Sequence, residues 1–384
     1  MKFLHTADWH LGRIFHQLHL TEEQSFVLDQ IVEIAAKEEV DAVVVAGDLY
    51  DRAVPPPEAV ALLDRTWQRI IEELSVPIIT IPGNHDSATR IGYGSHLLEK
   101  AGLHIVANFD RALRPIPVGG VDFFALPFAE PAEVRAWSGD PKVRDHDTAM
   151  IRCIERMREN FTPDRPRVLV AHAFVAGART ESDSERPLSV GGAGTVPVDT
   201  FDDFHYTALG HLHAAQSVSD RCLYSGSPMK YSFSEAKHQK SVTIVEVEDS
   251  GSVSTFQIPI AARRDVRNVE GKLAELVAAA PVDPKRDDYL RVVLTDEGAL
   301  LNAIGRLREV YPNVLQLERR FLTSGSNKQA SQVAQRQQAT ETELFASFFG
   351  EVLESDPSLA ETSLFQETLE ELRRFESEKE AASQ

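Results

Sequence analysis

The chain has 384 residues, 42% of them hydrophobic, so it can form two or three structural units with a large core, and wholesale disorder is excluded. Its formal net charge of −19 argues against tight, sequence-independent DNA binding by this chain alone, but is compatible with a DNA enzyme that has a basic partner. The sequence has no apolar run of membrane-spanning length and no signal peptide, which predicts a soluble cytoplasmic protein. Cys153 and Cys222 lack CxxC spacing, so a disulfide framework is not expected.

The first half of the chain alternates short apolar runs with amphipathic stretches. The predicted strands are residues 2–6, 41–46 and 76–81. Residues 22–38 carry apolar side chains at close to the helical period and predict a helix between the first two strands. Strands that alternate with helices pair in parallel through right-handed crossovers, so an α/β fold is expected.

Polar residues follow each of these strands directly. Asp8, Asp48 and Asn84 stand just after the first, second and third strand. In α/β sheets the functional loops lie at the carboxyl ends of strands, so these three loops are expected to meet at one sheet edge.

Two later strands also end in histidines. The apolar run 168–171 leads to His172, and the run 206–209 leads to Gly210-His211-Leu212-His213. In an extended segment, His211 and His213 lie on the same side. Antiparallel strands at residues 241–247 and 252–258 are predicted to complete the domain.

The composition changes near residue 262, and a second, smaller α/β unit is predicted. Its expected elements are a helix at 269–279, a strand at 289–294, a helix at 298–310 and a strand at 314–317. A polar linker and an acidic helical tail follow. We therefore divide the chain into residues 1–262, 263–322, 323–338 and 339–384.

Five short motifs supply the candidate chemistry. They are Asp8-Trp9-His10, Gly47-Asp48-Leu49-Tyr50-Asp51, Gly83-Asn84-His85-Asp86, Ala171-His172-Ala173 and Gly210-His211-Leu212-His213. Together they offer two carboxylates, one amide oxygen and four imidazoles as ligands, with a fifth imidazole left for proton transfer. Such donors suit Mn²⁺, Fe²⁺, Zn²⁺ or Mg²⁺, and a pair of these ions is suited to phosphoryl chemistry.

Each motif taken alone also fits an ordinary turn or surface loop, because Gly, Asn and Asp are common turn residues. Eight histidines outside the motifs are interpreted as structural or solvated: His5, His16, His19, His96, His104, His146, His205 and His238. The occurrence of all five motifs in one order, four of them after strand-like runs, favours the metal site.

These motifs resemble those of the calcineurin-like metallophosphoesterases over residues 1–240. Within that superfamily, residues 4–12, 184–192 and 224–228 resemble the bacterial members of the double-strand-break repair nucleases. The resemblance implies a sandwich of two mixed β-sheets flanked by helices, with a small α/β capping domain and a C-terminal helical tail.

The resemblance also implies roles for the site residues. One metal ion would be held by Asp8, His10, Asp48 and His213, and a second by Asp48, Asn84, His172 and His211. Asp48 would bridge the two ions, for which Mn²⁺ is the usual metal of the family. His85 would be the general acid, and Asp51 would either orient His85 or contact the DNA.

Three functional classes are compared. The resemblance favours a nuclease subunit with 3′→5′ exonuclease activity on duplex ends and endonuclease activity on single strands or hairpins, acting in DNA repair, recombination and replication. The first alternative is a phosphodiesterase or phosphatase for small or protein phosphates, and the second is a non-catalytic scaffold.

The implied partners are DNA, a coiled-coil ATPase and a second copy of this chain. Residues 58–74 and 87–100 are the candidate dimer segments. The tail carries apolar side chains at helical spacing, which require a surface to dock on. Those expected to bind the ATPase are Phe345, Phe348, Phe349, Phe365, Leu369 and Leu372, with Leu364 and Phe375 on the same predicted faces.

Overall fold

The computed structural model describes residues 1–180, 182–183, 185, 194–298, 300–320, 342, 345–346, 349 and 357–369. They fall into two units. The first contains Met1–Val269, Val282–Arg291 and Tyr311–Gln316, and the second contains Glu270–Pro281, Val292–Val310 and the described residues from Leu317 onward.

A six-stranded mixed sheet contains the N-terminal strands. Its strands, in order across the sheet, are Val253–Pro259, Ser241–Val247, Lys2–Thr6, Ala42–Val45, Ile78–Thr80 and Leu103–Ile105. The last four are parallel to one another, and the first two pairings are antiparallel. The strands predicted at 2–6, 41–46, 76–81, 241–247 and 252–258 are therefore confirmed, with ends that shift by at most two residues.

Helices cover one face of this sheet. They are Thr21–Lys37 and Pro57–Gln68, the latter extended by the π-helical turn Arg69–Glu73. Apolar side chains of Thr21–Lys37, among them Val27 and Ile31, belong to the same buried cluster as Leu4 and Val43 of the sheet. The predicted helix at 22–38 is confirmed.

A second six-stranded mixed sheet packs on the other face. Its strands, in order, are Gln216–Ser219, Cys222–Tyr224, Tyr206–Gly210, Arg167–His172, Val121–Ala125 and Ile116–Val118. The ring of Phe3 in the first sheet contacts those of Phe123 and Tyr206 in the second, with ring centroids 5.2 and 5.8 Å apart. The two sheets thus form the predicted sandwich, and the helices Pro131–Ser138 and His146–Arg158 flank the second sheet.

Shorter elements complete the first unit. The small strands pair as Ile14–Phe15 with Leu18–His19 and Phe174–Val175 with Thr195–Val196. The short helices are Ala88–Ile91, Ser95–Leu98 and Phe109–Ala112, with 3₁₀ turns at Glu99–Ala101, Val198–Phe201 and Phe233–Lys237. Among the described residues, no helix is both long and apolar enough to cross a membrane.

The C-terminal α/β region differs from the sequence prediction at two helix starts. Its sheet has the order Val266–Gly271, Tyr289–Leu294, Val314–Arg319, and its helices are Leu273–Ala279 and Ala303–Arg308, with a 3₁₀ turn at Ala280–Val282. The first helix begins after residue 271, and not at 269, because that segment is a strand and the Asp296 carboxylate caps Leu273. The second begins at Ala303, since Gly298 and Asn302 have positive φ angles.

The described part of the tail contains helical residues and a small aromatic cluster. Residues 359–369 are helical, and the Phe345 ring stacks on Phe365 with centroids 4.2 Å apart. Phe349 lies 5.6 Å from Phe345, and Leu364 is largely exposed. The predicted linker at 323–338 and the apolar residues Phe348, Leu372 and Phe375 lie outside the described residues.

Candidate metal centre

The loops after five strands bring the predicted ligands together at one edge of the sandwich. In the first sheet Thr6 pairs with Val45 and Val45 with Thr80, so their following loops are neighbours. In the second sheet, Gly210 pairs with His172, which places two histidine-bearing loops side by side. The expected convergence at the carboxyl ends of the strands is therefore observed.

The backbone of these loops adopts unusual conformations. Asp8, His10 and Asp48 have φ angles of 57°, 44° and 51°, a region that non-glycine residues seldom occupy. The main-chain N–H groups of Asp8 and His10 donate hydrogen bonds to the carbonyl oxygens of Gly47 and Asp48, at 3.0 and 2.9 Å. These bonds hold the first two loops together and stabilise the left-handed conformation.

Two glycines allow the loops to approach closely. A Cβ atom on Gly83 would lie 2.2 Å from Asp48 Oδ1, and one on Gly210 would lie 1.9 Å from the carbonyl oxygen of Ala46. Any side chain at either position would separate the ligand-bearing loops, so the presence of glycine there is a steric requirement.

The first group of candidate ligands is Asp8, His10 and His213, whose donor atoms lie within 4.8 Å of one another. The Nε2 atoms of His10 and His213 are 3.1 Å apart, and Asp48 Oδ2 is 3.7 Å from His10 Nε2. The Asp8 carboxylate also accepts hydrogen bonds from the main-chain N–H of His211, at 3.0 and 3.1 Å, which fixes its direction.

The second group surrounds Asn84. Its side-chain oxygen lies 2.9 Å from His172 Nε2 and 3.3 Å from His211 Nδ1. Asp48 Oδ2 is 3.5 Å from His172 Nε2, so this oxygen lies between the two groups. The geometry brings together all seven side chains that the sequence predicted as ligands.

The spacing of these atoms fits divalent ions. Neighbouring ligands of an octahedral ion with bonds of about 2.1 Å lie about 3 Å apart, and the nitrogen–oxygen and nitrogen–nitrogen distances within each group are similar. Burial lowers the pKa of His10, His172 and His211, to about 4 for His172, so these imidazoles are neutral at pH 7 and can bind metal.

The electrostatics of the Asp8 and Asp48 carboxylates also favour a bound cation. Burial, and then the proximity of Asp48, raises the pKa of Asp8 well above its usual value. Two carboxylates in so dry a site repel each other, and a divalent cation between them would offset this repulsion. The donor set, its spacing and its electrostatics therefore all fit the divalent metals that the sequence resemblance implies.

Hydrogen bonds to the second ring nitrogen orient two of the imidazoles. His172 Nδ1 donates to the carbonyl oxygen of Ala46 at 2.9 Å, and His213 Nδ1 donates to Glu235 Oε1 at 3.0 Å. In both rings this leaves Nε2 unprotonated and directed at the ligand group.

His85 lies beside the ligand groups and is held by two bonds. Its Nδ1 donates to the main-chain carbonyl oxygen of Asp51 at 2.9 Å, and its main-chain N–H donates to Asp48 Oδ1 at 2.9 Å. Its Nε2 is 3.9 Å from Asp48 Oδ2 and faces the site.

Asp51 contacts His85 in a different way from the expectation. Its backbone oxygen, and not its carboxylate, accepts the bond from His85. The carboxylate instead accepts a hydrogen bond from Arg13 Nη1 at 2.7 Å and lies 3.9 Å from His10 Nδ1. Asp51 therefore lies at the site, and its side chain forms an ion pair with Arg13.

Sequence reasoning gave no role to Asp86, Glu235 or Lys240. The Asp86 carboxylate accepts bonds from the main-chain N–H groups of Leu49, Tyr50 and Gly83 at 2.9 to 3.0 Å, which ties two ligand loops together. Its position at the end of the Gly-Asn-His-Asp motif could have indicated that it contributes to the site. Glu235 and Lys240 lie in no motif, and no local pattern marks them.

Of the distinctive segment 184–192, only Glu185 is among the described residues. Its Oε1 accepts a hydrogen bond from the main-chain N–H of His213 at 2.8 Å. Outside the motifs, His5 is buried between the sheets, where it bonds the Tyr206 hydroxyl at 2.9 Å and the Leu209 carbonyl oxygen at 3.2 Å. The structural interpretation of His5 is thus confirmed.

Comparison with known proteins agrees with this geometry. The family model described as calcineurin-like phosphoesterase matches residues 1–215, and the model described as type 5 capsule protein repressor C-terminal domain matches residues 262–352. The D subunit of the nuclease SbcCD from Staphylococcus epidermidis is 35% identical over 318 residues, which are 83% of this chain and 85% of the relative.

A dimetal phosphatase from Danio rerio aligns with 68% of this chain and 99% of its own, at 11% identity and a TM-score of 0.34. That likeness is too distant to inform the fold or the chemistry.

Proposed function

Since the chain belongs to the calcineurin-like phosphoesterases and, within them, to the family of the SbcCD nuclease D subunit, we propose that it is a metal-dependent DNA nuclease subunit. Its proposed activities are 3′→5′ exonuclease cleavage of duplex ends and endonuclease cleavage of single strands and hairpins. The observation that carries the proposal is the convergence of seven donor side chains, six of them buried and Asn84 half-buried, at one sheet edge in a chain related to a nuclease over most of its length.

The ligands divide into two sets that share one carboxylate. We assign Asp8, His10, Asp48 and His213 to one ion and Asp48, Asn84, His172 and His211 to the other. The distances from Asp48 Oδ2 to nitrogen atoms of both sets, 3.7 and 3.5 Å, support Asp48 as the bridge. When bound, a pair of Mn²⁺ ions would polarise the scissile phosphate and lower the pKa of an attacking water molecule.

The proposed proton donor is His85. Because its Nδ1 proton is engaged by the carbonyl oxygen of Asp51, the transferable proton is on Nε2, which faces the ligand groups. From there it can pass to the leaving sugar oxygen as the phosphodiester bond breaks. Asp51 contributes by holding the ring through its main chain, while its carboxylate keeps Arg13 next to the site.

The proposed partners follow from the family. The name of the Staphylococcus epidermidis relative implies a complex, and we propose that this chain acts with an SbcC-type coiled-coil ATPase, as a homodimer within a heterotetramer. ATP hydrolysis in that partner would control access to DNA ends and hairpins in repair, recombination and replication. Both DNA and ATP occur in the cytoplasm, where we propose that the complex acts.

A substrate comparison tests this function. The purified chain, with and without its ATPase partner, is incubated with Mn²⁺ and either hairpin DNA or a small phosphomonoester. We expect cleavage of hairpin DNA and little hydrolysis of the monoester, with Asp48→Ala inactive on both. Efficient hydrolysis of the monoester without DNA cleavage would instead indicate a phosphatase, and inactivity on both substrates would indicate a scaffold.

A further inference from the structure

Glu235 is a fully buried carboxylate next to the candidate metal centre. It lies in the 3₁₀ turn Phe233–Lys237, outside every motif, and is 0% exposed. Its Oε1 accepts hydrogen bonds from His213 Nδ1 at 3.0 Å and from the Ser182 hydroxyl at 2.7 Å. Its Oε2 accepts one from Lys240 Nζ at 2.6 Å. The side chain thus joins three separate segments of the chain.

The bond to Glu235 determines which nitrogen of His213 can bind a metal. An ionised carboxylate only accepts hydrogen bonds, so the His213 proton must be on Nδ1. The lone pair is then on Nε2, 3.1 Å from His10 Nε2 in the first ligand group. A carboxylate behind an imidazole also makes the ring a stronger donor to a metal ion.

Lys240 forms an ion pair with this buried carboxylate and fixes the loop of His213. Its Nζ lies 2.6 Å from Glu235 Oε2. Lys240 Nζ also donates to the main-chain carbonyl oxygen of His213 and to the Ser227 hydroxyl, both at 2.8 Å. The ring and the main chain of His213 are therefore held by the same ion pair.

We propose that Glu235, paired with Lys240, is a positioning residue that sets the metal affinity of the ion position containing Asp8, His10, Asp48 and His213. This inference rests on the proposed function, since it assumes that these residues bind a metal ion. His172, in the other position, is oriented by a neutral main-chain carbonyl oxygen, so it does not depend on this ion pair.

The test is a Mn²⁺ titration of Glu235→Gln by calorimetry, with electron paramagnetic resonance to detect bound Mn²⁺. Glutamine keeps the size of the side chain but removes the charge, and its amide N–H₂ group would face either Lys240 or His213 Nδ1, both of which are donors. We expect one of two Mn²⁺ ions to bind about 10- to 100-fold more weakly, as is usual when such a partner of a ligand is replaced.

The matched control is Asp122→Asn. Asp122 is equally buried and ion-paired, with Arg165, but lies at the start of the strand Val121–Ala125, the end opposite to the ligand loops. It should lose thermal stability without any change in Mn²⁺ affinity. A comparable loss of affinity in this control would overturn the inference, because it would show a general effect of removing a buried charge.

The double variant Glu235→Gln/Lys240→Gln separates positioning from stability. It removes the unpaired buried ammonium that Glu235→Gln creates, so its melting temperature should recover while its Mn²⁺ affinity stays low. It also serves as the test protein if the single variant does not fold. A folded variant that binds two Mn²⁺ ions with wild-type affinity would refute the role of Glu235 but not the proposed metal centre. A wild-type chain that binds no Mn²⁺ would refute the proposed metal centre itself.

Discussion

Replacement of His85 by asparagine tests the proposed proton donor most directly. His85 is buried and is not among the seven side chains assigned to the two ions, although its ring lies close to His10 and Asp51. Asparagine has an amide nitrogen where the imidazole has Nδ1, so the bond to the Asp51 carbonyl oxygen can persist. The main-chain bond from residue 85 to Asp48 is unaffected. The variant therefore loses the Nε2 proton and little else.

The expected effect is large on chemistry and small on metal binding. A positioned general acid contributes about 10²- to 10⁴-fold to a rate, which corresponds to about 3 to 5 kcal/mol of activation free energy. Because His85 holds no ion in the proposed assignment, Mn²⁺ affinity should stay within about threefold of wild type, a change in binding free energy of about 0.7 kcal/mol.

Single-turnover cleavage with enzyme in excess provides the assay. Two diester substrates are compared in Mn²⁺: hairpin DNA, whose leaving sugar oxygen needs a proton, and a nitrophenyl phosphodiester, whose phenolate leaves without one. His85→Asn should slow DNA cleavage by about 10²- to 10⁴-fold. It should slow hydrolysis of the nitrophenyl ester much less. An equal loss on both substrates, or a loss of Mn²⁺ seen by calorimetry, would refute the general-acid role.

Three other perturbations have defined expected outcomes. Asp48→Ala should weaken the binding of both Mn²⁺ ions in a calorimetric titration, and retention of one ion at full affinity would argue against a bridge. Deletion of residues 336–384 should spare Mn²⁺-dependent cleavage of simple substrates but prevent co-purification with the SbcC-type ATPase, and a truncated chain that still co-purifies at full stoichiometry would exclude the tail as the main tether. Burial lowers the pKa of His5 to about 3, so the unfolded chain binds a proton below pH 6.5 that the folded chain does not. Stability should then fall as the pH is lowered through this window, by about 2 kcal/mol for this histidine between pH 6.5 and 5. In chemical denaturation, His5→Gln should lose that part of the pH dependence, and an unchanged slope would contradict the buried neutral imidazole.

Local patterns in the sequence were sufficient for the strands and the ligands. A strand buried on both faces is a continuous apolar run, and in a parallel sheet the residue after such a run lies at a known edge. This is why the sequence pattern alone predicts that Asp8, Asp48 and Asn84 meet at one sheet edge, whereas the grouping of His172 with them followed from the family resemblance. The structure adds that the glycines at 83 and 210 are required for this convergence, because only glycine permits so close an approach of the loops.

Other features depend on contacts between segments that are distant in the sequence, and only the tertiary structure shows them. Residues 269–271 form a strand and not the start of a helix, because the strand Tyr289–Leu294 pairs with that segment, and a periodicity in the sequence cannot anticipate such a pairing. The Asp51 carboxylate pairs with Arg13, 38 residues away, and so leaves the orientation of His85 to a main-chain oxygen.

Glu235 illustrates the same limit at the metal centre. It lies in no motif, and it reaches the site through a hydrogen bond to His213, 22 residues earlier, and an ion pair with Lys240. A buried ion pair is stable only if each of its charged and polar groups has a hydrogen-bond partner. Which groups are near enough to be those partners depends on the fold. The sequence by itself therefore determined which side chains could bind metal, while only the fold decided what holds them in position.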